Sequence, residues 1–94
     1  MADDGYNGWT NYETWAMALW IDNDAWSQNW ALEIATEANG DRYDCAYALK
    51  DGMEETMPEV ESVWADLLNA AWSEIDWYEI ADAYLAQAAE EASS

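Results

Sequence analysis

Twenty-one aspartates and glutamates are the abundant chemistry-bearing side chains of this 94-residue chain, which has only two basic residues, Arg42 and Lys50, and no histidine. Two carboxylates at the right separation can share acid and base duties, as in glycoside hydrolysis. With so many carboxylates some pair always falls at a workable separation, so the pattern singles out no pair. The missing histidine removes the usual acid–base group of neutral pH. Two cations are too few to clamp a phosphate or a developing oxyanion, and no glycine-rich loop follows a strand pattern. These residues predict a protein that is not an enzyme and needs no cofactor.

The other chemistries are as poorly supported. Asp22-Asn23-Asp24 opens like a calcium loop, but Trp26 stands where that pattern needs Asp or Asn, and Ser27 where it needs Gly. An inter-helix turn with capping residues is the simpler reading, and no metal site is expected. Cys45, the one cysteine, allows no internal disulfide and reads as a small buried apolar side chain suited to a reducing compartment. The start, Met1-Ala2-Asp3-Asp4, lacks the basic and apolar regions of a signal peptide. No apolar run approaches the roughly 20 residues that span a bilayer. Nucleic acid is bound through lysine and arginine on phosphates, so direct binding is not expected. Anionic membranes would repel the chain too. The location expected is the cytoplasm, that of a host cell if the gene is carried by a mobile element.

The elements that must carry the carboxylates are helical. Thr10 or Asn11 can cap a first helix, with Glu13 placed three after Thr10 as in a capping box. Tyr12, Trp15, Ala16, Leu19 and Trp20 follow at helical spacing, and this helix ends near Asp22-Asn23. Asn23 or Asp24 can cap a second, about Ala25 to Ala38, closed by Asn39-Gly40. A third begins after Asp41, with Gly52 weakening its end. Pro58 opens a fourth, whose stripe of Val60, Val63, Trp64, Leu67, Leu68, Ala71, Trp72 and Ile75 is the cleanest in the chain. Asp76, supported by Glu79, caps a fifth, and residues 90–94 are expected to fray. The fold predicted is all-α: one compact domain, 1–94, of four to five short helices behind an irregular arm over 1–9. The dense aromatics Trp9, Tyr12, Trp15, Trp20, Trp26 and Trp30 are expected mainly in the core, with Trp9 and Tyr6 stapling the first helix or staying exposed.

Two blocks, YNGWTNYETWAMALWIDND from Tyr6 to Asp24 and DLLNAAWSEIDWYEIADAYL from Asp66 to Leu85, resemble a family of small uncharacterised proteins encoded by phages, plasmids and diverse prokaryotes, haloarchaea included. The resemblance brings no catalytic residues. A mobile-element origin would favour a counter-defence role. To the acidic antirestriction and anti-CRISPR proteins the chain is similar in charge only.

The formal net charge of −19 is the remaining signal. Soluble surfaces usually intersperse both signs, and like charges four apart on a helix, such as Glu33 and Glu37, each cost a few tenths of a kcal/mol. Something outside the fold should offset that repulsion. Duplex DNA carries one charge per roughly 1.7 Å of axis, so nineteen charges correspond to roughly 30 Å of duplex. The leading expectation is a nucleic-acid mimic that inhibits a defence nuclease complex of the CRISPR or restriction type by occupying its basic channel. Its partner-binding carboxylates would be Glu33, Glu37, Asp41, Asp44, Asp51, Glu54, Glu55, Glu59, Glu61, Asp66, Glu79 and Asp82. The partner would be a basic nucleic-acid-binding protein or complex, met by a monomer or a homodimer. The alternatives are a halophile-adapted helical domain and an adaptor that uses exposed aromatics.

Overall fold

The computed structural model describes residues 8–56, 61 and 63–93, and among these the chain forms five α-helices: α1 (Tyr12–Asp22), α2 (Ala25–Ala38), α3 (Arg42–Glu55), α4 (Val63–Glu74) and α5 (Trp77–Ser93). The all-α expectation holds. Pro58 and Val60, read as the opening of the fourth helix, lie outside the described residues, as do Tyr6 and most of the 1–9 arm. Of the tail expected over 90–94, α5 includes the residues through Ser93, and Ser94 lies outside the described residues.

Local capping explains most boundaries. Asn11 caps α1, its side chain accepting from the Thr14 N–H at 2.9 Å. Asp24 caps α2 by accepting from the Trp26 N–H, and Asp41 caps α3 by accepting from the N–H groups of Tyr43 and Asp44. Asn39 ends α2 in the left-handed conformation (φ 55°) and Gly40 continues it (φ 89°), a turn these two residues adopt at little steric cost.

Three helices make the body: α5 packs on both α2 and α3, which also touch each other, and α1 adds itself to α2 and α5. The buried centre is aliphatic and alanine-rich. Ile21, Leu49 and Ile80 are its largest fully buried apolar side chains, surrounded by Ala18, Ala31, Ala35, Ala46 and Ala81, whose small size lets the helices approach closely. This corrects the expectation of an aromatic core. Of the described aromatics only Trp77 and Tyr84 are buried, while Trp20 is 73% exposed and Trp26 71%. A domain this small cannot enclose eight indoles that each cover roughly 150–250 Å². Trp9, Trp30 and Trp72 instead pack partly buried around the aliphatic centre.

Gly52, expected to weaken the end of α3, does not end it, and the helix runs on to Glu55. A Cβ at this position would overlap the Trp30 ring of α2, so the glycine makes room for a half-buried indole between helices. Gly52→Ala gains about 1 kcal/mol of helix propensity but must displace that ring, at a cost of about 1–3 kcal/mol. The expected net result is a lower melting temperature. An unchanged or higher melting temperature by circular dichroism would show that Trp30 yields freely.

The two sequence blocks meet in space at the junction of α1 with α4 and α5. Besides capping α1, Asn11 donates from Nδ2 to the Glu74 carbonyl at 2.7 Å. The fully buried Thr14 accepts from the Asp76 N–H through its hydroxyl at 2.8 Å. Glu79 Oε1 accepts from the Thr10 N–H at 3.0 Å. Thus Asp76 caps α5 through the N–H groups of Tyr78 and Glu79, as expected, but the Glu79 carboxylate ties down the N-terminal segment instead of completing a capping box. Next to this junction Trp72 and Trp77 meet at 5.4 Å between ring centroids. Their indole N–H groups are buried with no acceptor among the described residues.

Candidate partner-binding surface

The carboxylates expected to face a partner divide by what the fold asks of them. At 100° per residue, Asp41, Asp44, Asp51 and Glu55 of α3 and its cap fall within an arc of about 80°. All four are exposed, and the buried arc of Cys45, Ala46 and Leu49 lies on the other side of the helix. Glu54 sits on a neighbouring flank with exposed Tyr43, Tyr47 and Lys50. Glu33 and Glu37 stand one turn apart and exposed on α2, Glu61 is exposed just ahead of α4, and Asp66 is exposed in the first turn of α4. Glu59 lies outside the described residues.

Three of the predicted carboxylates already serve the fold. Asp41 is a helix cap, and Glu79 is half-buried and holds Thr10. Asp82 takes a two-pronged pair from Arg42, whose Nε and Nη2 donate to Oδ1 and Oδ2 at 3.1 and 3.0 Å. The Arg42 guanidinium also lies 5.2 Å from the Tyr78 ring centroid, so one of the chain's two cations is tied up between α3 and α5. Neither cation projects from the Asp41–Glu55 ridge, because the other, Lys50, stands on the tyrosine flank. No group of three or more Cys, Asp or Glu side chains among the described residues is arranged to hold a metal ion. No helix among the described residues is long and apolar enough to cross a membrane.

A carboxylate that the sequence marks only as a turn residue is Asp22, which accepts from the Tyr84 hydroxyl at 2.9 Å. Burial, then that hydrogen bond and the charge of Asp22, hold the Tyr84 phenol well above its usual range. Burial, aided by the Asp82 carboxylate, pushes the Cys45 thiol from 9.0 up to about 11. Both groups are neutral when protonated and hold their protons more tightly in the folded chain, so the unfolded chain loses them first as pH rises. Their contribution to stability is intact below pH 9 and is lost as pH climbs from 9 through 11 and beyond. The melting temperature should therefore fall across pH 9–11, and Cys45→Ala should flatten part of that fall. A melting temperature level to pH 11 would contradict the burial of both groups.

The other feature that the sequence leaves open is α4. Its apolar stripe suits an intramolecular core and a partner's surface equally well, and in the fold the helix has no buried residue, with Val63, Trp64 and Leu67 58%, 66% and 56% exposed. Amphipathic spacing is the same whether the covering surface is in the same molecule or another, so nothing in the sequence could have distinguished the two.

Comparison with curated proteins and with solved structures gives no match. The family model for a family of unknown function, DUF7249, matches residues 2–92, nearly the whole chain and both of the interlocking blocks. The chain belongs to this family of unknown function, DUF7249.

Proposed function

We propose that this protein is a nucleic-acid mimic that inhibits a defence nuclease complex, of the CRISPR or restriction type, by occupying its basic nucleic-acid-binding surface. The observation that carries this reading is the α3 ridge: Asp41, Asp44, Asp51 and Glu55 share one exposed face with no cation on it. The wider body agrees. Eighteen carboxylates and two cations lie among the described residues, a net charge of −16 on a body 48 Å long, or one charge per about 3 Å. That is roughly half the axial charge density of duplex DNA. Binding would be competitive exclusion with no bond made or broken, fast and steeply weakened by salt.

The test is capture by the immobilised protein from nuclease-treated extracts of cells that carry CRISPR or restriction systems, in 0.1 M and 0.5 M salt. The expected result is retention of a nucleic-acid-binding complex at the lower salt only. Retention indifferent to salt, or retention only of proteins that bind no nucleic acid, would contradict the reading.

A second reading, salt adaptation, is favoured by one observation: exposed carboxylates occur on all five helices, including the like-charged neighbours Glu33 and Glu37. It differs in one outcome of thermal unfolding. A salt-adapted domain is unfolded in dilute buffer, where repulsion is least screened. The mimic folds there and gains only a few degrees as salt rises.

A further inference from the structure

We infer that α4 is a docking surface for an amphipathic cationic helix of the partner protein, an inference that rests on the reading of a basic partner and adds where apolar contact is made. The large apolar side chains of α4 span about 180° of the helix, counted at 100° per residue. The body covers one half of this arc: Trp72, with Ile75 just past the helix, packs against the core and Leu68 is half-buried. Val63, Trp64, Leu67 and Ala71 occupy the other half, within about 100°, and all four are exposed. Among the other helices, the α4 backbone lies beside α1 alone. Solvent therefore meets an apolar strip two helical turns long, about 12 Å from Val63 to Ala71, with Asp66 at its edge and Glu61 at its head.

Charge decides what fits on the strip. A second copy would bring −19 against −19, and an anionic bilayer is repelled in the same way. A helix with apolar residues at i, i+3 or i+4, and i+7, flanked by lysine and arginine, satisfies the strip and its carboxylates together, the helix-on-helix mode of peptide recognition. Basic amphipathic helices are also what a nucleic-acid-binding surface commonly presents. The acidic ridge would set the attraction and α4 the choice among cationic surfaces.

The probe is a 14-residue helix-forming peptide of leucine and lysine with its leucines at i, i+3, i+4 and i+7, beside a scrambled isomer of identical composition. Binding is measured by anisotropy in 0.15 M salt with the full chain. The patterned peptide should bind at least tenfold tighter than its isomer. Trp64→Ser with Leu67→Ser, both at exposed positions, should erase that preference, and Trp26→Ser, on a different helix, should leave it unchanged. Equal binding of the two peptides would overturn the docking surface while leaving the acidic reading in place. No binding of either, even in 0.02 M salt, would overturn both. A dimer in sedimentation that disperses with the α4 double substitution would assign the strip to a second copy and overturn the proposal.

Discussion

Asn11→Ala combined with Thr14→Val should remove about 3–5 kcal/mol of stability, a large share of what a domain of this size possesses. Losing the cap of α1 costs about 1 kcal/mol, and losing the Asn11 bond to the Glu74 carbonyl about 1 more. Thr14 is fully buried and its hydroxyl accepts from the Asp76 N–H. Valine preserves the shape and strands that donor, a further loss of about 1–3 kcal/mol. The sites are neighbours, so the double variant need not equal the sum of the singles. The measurement is thermal unfolding by circular dichroism, with Thr14→Ser as the control that keeps the hydroxyl. A drop of roughly 15 °C or more is expected. A double variant melting within about 3 °C of the parent would show that α1 is not fastened to the α4–α5 junction by these bonds.

The second large effect has opposite signs in stability and in binding. Asp44→Asn, Asp51→Asn and Glu55→Gln neutralise the exposed ridge of α3 and spare Asp41, which the helix needs as its cap. Relief of repulsion should leave the melting temperature in dilute buffer unchanged or a few degrees higher, since each like-charged neighbour costs a few tenths of a kcal/mol. Binding to a cationic partner should weaken at least tenfold, and its dependence on salt should become shallower. A variant that became less stable would show that these carboxylates serve the fold, as Asp82 does.

How far the sequence reached is clearest at particular residues. Asp24, Asn39, Gly40, Asp41 and Asp76 act where local turn and cap chemistry places them, because a cap depends on neighbours within four residues. Asn11 and Glu79 were legible only in part, and Thr14 not at all. The local capping roles of Asn11 and Glu79 gave no sign of hydrogen bonds that link these three residues to partners more than sixty positions away, because the closeness of their two blocks is a property of the tertiary fold. Trp20, Trp26 and Trp64 follow helical periodicity and still face solvent. Periodicity reports a shared face of a helix, and the body decides which faces it can cover. Among the carboxylates, the ridge of α3 could be read from spacing. The withdrawal of Asp82 by Arg42 could not, because that pair crosses from α3 to α5.

The measurement that bears most directly on mimicry is displacement of a fluorescent nucleic acid from a purified CRISPR effector or restriction enzyme that the protein captures. The wild-type chain should displace the nucleic acid completely and competitively, and the variant neutralised at Asp44, Asp51 and Glu55 should require at least tenfold more protein. Simultaneous binding of protein and nucleic acid at full affinity, or equal potency of the neutralised variant, would contradict the account.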